Sequence, residues 1–445
     1  MLTGKFKFFL LFLGDCLVFY AGLALTLFVR YKGNDFGISF NTHLKPFFII
    51  LIIFIIIFYI SDLYSEKLLK HGPSTWKSFL SAILVNLIIS VSAFYIFGEF
   101  FKLTPKTNLF LFFVFFTLFD YIWRFYFSKI SIKKGWHEKI LLIGSSPCIK
   151  SIDGYLKDNP QSGYSASALS SNWLSTIKEN ELNALIGKEK IDMLIIDAGI
   201  KKNPENIKMI YKLFTKGIRF IDSREFYESL FNKICLDETE ENWFVENIIT
   251  NNYALNVTKN IIDFVFSIFF IIILSPFIVI VALFVALTSR GPMIYKQERM
   301  GKNSKTFVLY KFRTMIVNNT GPLWTTKNDN RLTTIGKILR HSHLDELPQL
   351  FNILKGDISF TGPRPERIEL AQIYDAIPYY AVRHTIKPGV SGWAQLYYKP
   401  STSIEEAKEK LEYDLYYIKN RSIFLDFLIM FKTIKYVFMN YRKNN

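Results

Sequence analysis

Cysteine is scarce in this 445-residue chain: Cys16, Cys148 and Cys235 are the only three. An odd number, widely spaced, argues against a disulfide framework or a zinc module. No cleavable leader is expected, because the first apolar stretch is too long and has no small-residue cleavage site. Glycine is missing where a dinucleotide fold would use it. The turn Gly144-Ser-Ser-Pro147 lacks the second and third glycines that let backbone approach a pyrophosphate. The same region has no Tyr-x-x-x-Lys pair, which disfavours an NAD-dependent nucleotide-sugar dehydratase. Acidic residues are also short, 38 against 54 Lys and Arg, giving a net charge of +16.

What is abundant is apolar and aromatic: 50% and 17% of residues. A soluble nucleic-acid binder could carry the charge but not this many apolar runs. A basic membrane protein facing anionic lipid or phosphate substrates fits both facts. Four apolar stretches open the chain, at about 6–29, 46–61, 76–97 and 109–127. Each can cross a core of about 30 Å, the second with its aromatic flanks. Arg124, Lys129, Lys133, Lys134 and Lys139 then accumulate, which reads as cytoplasmic and places the N-terminus, with Lys5 and Lys7, on the same side. Asp15 and Asp120 fall within spans, where packing roles are the expectation.

From about 139 to 256 the composition is ordinary. Strand runs at 139–145, 191–197 and 216–221, with helical stretches between, suggest a Rossmann-like α/β module that regulates or dimerises. A fifth apolar run, 261–287, has basic flanks at both ends, Lys259 and then Arg290 and Lys296. Both flanks prefer the cytoplasmic face, and Ser275-Pro276 sits at the midpoint, where proline removes a helical bond. A bent, re-entrant helix satisfies both; an ordinary kinked span is the plainer reading.

Seven basic residues and one acid follow between 290 and 315. Tyr310-Lys-Phe-Arg-Thr-Met315 alternates like a strand, so Lys311 and Arg313 share a face suited to a pyrophosphate. Downstream lie Arg331, Arg340 and the pair Asp345-Glu346. The pair precedes a short helix with Leu347, Leu350, Phe351 and Leu354 on one face, Pro348 in its first turn and Gly356 past its end. The pair could serve only as a helix cap. Gly356-Asp-Ile-Ser-Phe-Thr-Gly-Pro-Arg-Pro365 fixes Arg364 in a rigid turn, and Lys387-Pro-Gly-Val-Ser-Gly-Trp-Ala-Gln395 is a second stiff loop. Residues 404–418 form an amphipathic helix. Residues 424–438 form another, too interrupted by charge to span and expected in the interface plane.

From about 259 to 441 the chain resembles the monotopic polyprenyl-phosphate phosphoglycosyltransferases, bacterial sugar transferases that start polysaccharide assembly on a lipid carrier. The resemblance rests on Gly291-Pro-Met-Ile-Tyr-Lys-Gln-Glu-Arg299, Tyr310-Lys-Phe-Arg-Thr-Met315, Leu344-Asp-Glu-Leu-Pro-Gln349, Gly362-Pro-Arg-Pro365 and the loop from Lys387 to Gln395, in the family's order. With its N-terminal spans the chain is similar to the long, exopolysaccharide-type members. The resemblance implies passage of a phosphosugar from a UDP-sugar to undecaprenyl phosphate, with UMP released. It implies Asp345 as nucleophile, Glu346 as a Mg²⁺ ligand, Arg364 on the nucleotide-sugar phosphates and Ser275-Pro276 at the helix kink. Lys311, Arg313 and Arg340 are further candidate phosphate ligands. Lys296, Arg299, Asp357, Pro363, Pro365 and Lys387 belong to the same motifs. Departures are Asn260 for a frequent Arg, Ser304 for a frequent Gly, Asn330 for a common Pro and His343 for a frequent Ser; they bear on sugar choice more than on reaction class.

The expected architecture is thus a membrane protein. An N-terminal four-helix transmembrane bundle (1–130) precedes a Rossmann-like α/β middle domain (139–256). A re-entrant helix and a small mixed α/β catalytic domain with interfacial helices (259–441) follow. It is expected in the bacterial inner membrane, catalytic face to the cytoplasm. A homodimer and later glycosyltransferases of the pathway are possible partners, and nucleic acid is not. A non-catalytic membrane scaffold is the third reading, and it leaves the motifs around Asp345 unexplained.

Overall fold

The structure, a computed structural model, describes residues 2–31, 36–64, 73–96, 98, 106–133, 138–169, 179–214, 218–248, 253–288, 291–315, 331–398 and 403–440. The expectations that rest on Lys134, Arg290 and Asn330 lie outside these. The chain divides into two compact units, Met1–Phe226 and Tyr227–Asn445.

The first unit opens with four long helices: α1 (Leu2–Tyr31), α2 (Phe36–Ile60), α3 (Pro73–Ile96) and α4 (Lys106–Lys133). All four hold a stretch long and apolar enough to cross a membrane. Phe19, Phe47, Phe54, Phe112 and Phe116 meet edge to face in one buried cluster, which α3 extends with Phe79, Ala82 and Phe94. The two acids within these apolar helices, Asp15 and Asp120, are not isolated. Arg124 pairs with Asp15 and, at 2.8 Å, with Asp120, and donates to the Leu63 carbonyl at 2.9 Å. Charges in apolar surroundings persist when they are paired and bonded in this way.

A parallel sheet follows, built from β1 (Glu138–Ile143), β2 (Tyr164–Leu169), β3 (Met193–Ile196) and β4 (Arg219–Asp222) in the order β2-β1-β3-β4. Helices α5 (Pro147–Asp158), α6 (Glu179–Glu189) and α7 (Pro204–Phe214) alternate with the strands, and α8 (Ser223–Phe231) leads into the second unit. Strand β2, Tyr-Ser-Ala-Ser-Ala-Leu, was not expected from sequence, because small and hydroxylated residues carry little strand signal. After β1, Gly144 has φ +141°, and a Cβ there would lie 2.5 Å from the Asp197 Cβ. The Asp197 carboxylate accepts the N–H of Ser146 at 3.2 Å and of Gly199 at 2.9 Å. An acid therefore occupies the amide a bound phosphate would use.

In the second unit, α9 (Glu241–Asn247) precedes α10 (Tyr253–Thr288), one continuous helix of 36 residues that includes Pro276. At 1.5 Å per residue it is about 54 Å long, well beyond a hydrocarbon core. Proline 276 cannot donate to the Ile272 carbonyl four residues back. The Ser275 hydroxyl donates to that same carbonyl at 2.8 Å, so the Ser-Pro pair leaves no orphaned acceptor. Next come β5 (Ile294–Met300) and β6 (Thr306–Phe312), an antiparallel hairpin whose turn puts Asn303 and Ser304 at φ +55° and +57°. Left-handed backbone at Ser304 explains why glycine suits that position.

Helices α11 (Thr334–His341) and α12 (Gln349–Lys355) flank the Asp345-Glu346 motif. Then come β7 (Ser359–Thr361), α13 (Ile368–Tyr374), β8 (Gly389–Ser391), which pairs with β7, and α14 (Trp393–Tyr397). The last two helices are α15 (Ile404–Lys419) and α16 (Ile423–Asn440). Leu370, Tyr374, Trp393, Leu411, Leu415 and Tyr417 form the core beneath them. Two of the charges that interrupt α16 turn inward: Asp426 pairs with Lys259 at 2.6 Å, and Lys432 donates to the Tyr397 hydroxyl at 2.7 Å. Phe424, Phe427, Phe431 and Ile434 are left exposed on it.

Candidate active site

Asp345 and Glu346 lie in a single 3-10 turn, Leu344–Glu346, entered through His343 at φ +57°. Pro348 is the N-cap of α12, one position earlier than expected, and Gly356 ends the helix at φ +82°. The expected apolar face also changes: Leu350 and Ile353 are buried with Asn352, whereas Phe351 is 42% exposed. The N–H groups of Glu346, Leu347, Leu350 and Phe351 donate to the carbonyls of His343, Leu344, Leu347 and Pro348. These backbone donors are already used, so the charge at this site is set by side chains.

Two cations converge on one carboxylate oxygen. Lys311 at the end of β6 reaches Glu346 Oε1 at 2.7 Å, and Arg364 reaches the same atom at 3.1 Å. Burial alone would raise the Glu346 pKa, but Arg364 and Lys311 outweigh it and hold this carboxyl far below its ordinary range. Asp345, 7% exposed, goes the other way. Burial and then the adjacent Glu346 charge push it up, against the pull of Lys311, Arg340 and His343. Burial lowers Lys311 more than Glu346 restores it. Two neighbouring carboxyls are thus driven apart in pKa, the pattern of an acid pair with divided roles.

Local structure sets each contributor. Asn352 is fully buried on α12 and serves β6 as a neighbouring strand would: it accepts the Tyr310 N–H at 3.0 Å and donates to the Val308 carbonyl at 2.7 Å. That contact fixes Lys311 relative to Glu346. Arg340 donates to Thr314 Oγ1 at 2.9 Å, and Arg313, past the end of β6, is 5% exposed. Arg299 turns from the cluster to the Pro365 carbonyl at 3.0 Å and Gln297 at 2.7 Å; burial and Arg364 bring its pKa down to about 10.

The structure therefore gathers Lys311, Asp345, Glu346 and Arg364, with Arg340 beside them. It does not bring in all the motif residues. Lys296 is exposed on β5 opposite Tyr310. Asp357 accepts from Asn352 at 3.1 Å behind α12, and the Lys387 ammonium lies beside Gly356. Pro363 and Pro365 act through their carbonyls, which accept from Gly389 N–H and Arg299. Asn352 escaped the sequence reading, although a polar residue beside Leu350 and Ile353 on a packed helix face was a usable signal.

Fold and site define a membrane protein with a buried, cation-lined carboxylate pair, the surroundings a phosphate-bearing substrate needs. Residues 254–440 match the family model described as bacterial sugar transferase. The chain is 38% identical over 215 residues to the UDP-N-acetylgalactosamine-undecaprenyl-phosphate N-acetylgalactosaminephosphotransferase of Aeromonas hydrophila, covering 48% of this chain and 50% of that protein. It is 40% identical over 189 residues to the UDP-glucose:undecaprenyl-phosphate glucose-1-phosphate transferase of Klebsiella pneumoniae, covering 41% of each. It is 40% identical over 187 residues to the exopolysaccharide production protein PSS of Rhizobium leguminosarum bv. phaseoli, covering 40% of this chain and 94% of that protein. The chain belongs to the bacterial sugar transferase family. The matched stretch spans half or less of the first two relatives.

Proposed function

We propose that the protein transfers a phosphosugar from a UDP-sugar to undecaprenyl phosphate, releasing UMP and starting assembly of an exopolysaccharide, capsule or O-antigen. The observation that carries this reading is the split carboxylate pair: Glu346 is neutralised by Lys311 and Arg364, while Asp345 makes no ion pair among the described residues. In the first step an Asp345 oxygen bonds to the phosphorus that carries the sugar, and the bridging P–O bond breaks with UMP leaving. In the second, a phosphate oxygen of undecaprenyl phosphate attacks the same phosphorus and the bond to Asp345 breaks. Lys311 and Arg364 exchange the Glu346 carboxylate for the diphosphate. The all-oxygen donor set of Asp345 and Glu346 fits Mg²⁺, which when bound would neutralise charge on the diphosphate.

The N-terminal helices serve as a four-helix transmembrane bundle and the parallel sheet as a Rossmann-like module. The α10 helix serves as a re-entrant element. Its support is a stripe, Asp263, Ser267, Phe270, Ile271, Leu274, Ile278, Val281 and Val285, that faces the rest of the second unit from one end to the other. The opposite face, including Phe264, Ile272, Val279 and Leu283, is exposed and apolar. Were α10 a straight span, the body packed along residues 263–285 would have to enter the bilayer with it; a re-entrant helix keeps both ends, and that body, on one face. Cysteines placed at Val257 and Met293 should react with an impermeant reagent only from the cytoplasmic face; labelling from opposite faces would establish a span.

The reading is tested by UMP release from a panel of UDP-sugars with undecaprenyl phosphate. UMP should appear with one or a few donors and should require the acceptor for turnover beyond one equivalent. Asp345 must be ionised to attack, so its raised pKa places the acid limb of the rate above the ordinary aspartate range. Activity should fall as pH drops through that limb; a limb at or below the ordinary value would contradict the site's electrostatics.

A further inference from the structure

The turn that presents Arg364 has an unusual property: four consecutive carbonyls each receive a donor. Pro363 O accepts from Gly389 N–H at 3.0 Å, Arg364 O from Arg383 Nη2 at 3.0 Å, Pro365 O from Arg299 Nη1 at 3.0 Å and Glu366 O from Met300 N–H at 3.0 Å. Among the described residues, only Arg383 reaches the backbone of Arg364 itself. Its own guanidinium is held at both terminal nitrogens: Nη2 pairs with Asp414 at 2.9 Å, and Nη1 donates to the Tyr380 hydroxyl oxygen at 2.5 Å and lies 3.7 Å from Glu366. Lys410 pairs in turn with Glu366. Two cations and two acids thus balance within one buried network, with Arg383 3% exposed. Among the described residues, the crevice between α13 and α15 that these groups line leaves no room for a water molecule beside them.

We infer that Arg383 is a positioning residue for the transfer reaction: by holding the Arg364 carbonyl, it sets the direction in which the Arg364 guanidinium meets the nucleotide diphosphate. This rests on the proposed role of Arg364 at that diphosphate. A planar donor suits the task because one edge binds the acids while a nitrogen still reaches the carbonyl. A lysine at 383 keeps the charge but loses that fork.

A double-mutant cycle in UDP binding, measured calorimetrically on the full-length protein in detergent or nanodiscs, tests the coupling. Arg383→Lys should weaken UDP about tenfold in the native background and less than twofold in Arg364→Ala, because the residue being positioned is gone. Asp414→Asn, which frees the guanidinium without removing it, should do the same to a smaller degree and covers a poorly folding Arg383→Lys. Equal weakening in both backgrounds, or none in either, would overturn the inference. The parent reading fails separately: it predicts that Arg364→Ala alone weakens UDP, and unchanged binding by that variant would remove both.

Discussion

Asp345→Asn is expected to abolish turnover while making the protein more stable. The loss follows from chemistry. An amide oxygen is too poor a nucleophile to displace UMP, and removing an attacking group costs on the order of 10³-fold or more. The gain follows from electrostatics. Burial and the Glu346 charge raise the Asp345 pKa, so at neutral pH the folded protein bears the cost of an ionised carboxylate. Asparagine has nearly the same shape and no charge. Relief of about 1 kcal/mol would raise the melting midpoint by a few degrees. A variant that melts lower would mean the carboxylate is a structural partner and not a strained functional group.

Glu346→Gln is expected to fail in the opposite sense. It sits one residue away, yet its carboxylate is what Lys311 and Arg364 share. Removing it leaves two cations facing each other. Arg364 is 35% exposed in its side chain, so solvent screens part of the penalty, and a loss of about 1–3 kcal/mol is the appropriate scale. The depressed pKa fixes the pH window. The folded value lies below the unfolded one, so the stabilisation is complete above the ordinary glutamate range. It is lost only as pH falls towards the folded value. Native protein and Glu346→Gln should therefore differ in melting midpoint at neutral pH and converge in acid. On the proposed mechanism activity should drop about 10²-fold or more, since the diphosphate would lose an ordered pair of cations and Mg²⁺ a carboxylate ligand. Opposite stability changes at adjacent carboxylates would be hard to obtain from two helix caps.

The candidate site was legible in the sequence because its groups are spaced by rigid local structure. Arg364 is fixed by flanking prolines, and the Asp345-Glu346 pair by one short turn. The sequence did not carry what depends on packing between distant segments. Arg383 lies in a short 3-10 helix, Tyr380–Thr385, whose sequence shows no apolar period, and its partners arrive from α15 and from the turn at 362–366. The N–H groups of Glu346, Leu347, Leu350 and Phe351, beside and beyond Asp345, are consumed by tight-turn bonds that a periodic pattern cannot reveal. Lys296, Asp357 and Lys387 share motifs with the site but not its space; neighbours in a motif can point to different faces of a strand or turn. In the sheet unit the missing glycines were legible, whereas the carboxylate of Asp197 on the Ser146 amide was not.

The central claim is that Asp345 forms a bond to phosphorus. Mass spectrometry of full-length protein incubated with UDP-sugar and Mg²⁺, without acceptor, tests it most directly. The account predicts up to one equivalent of UMP and a mass increase equal to one phosphosugar, mapped to the peptide containing Asp345. The adduct should disappear when undecaprenyl phosphate is added and be absent from Asp345→Asn. Full turnover by Asp345→Asn, or an adduct on another residue, would contradict it.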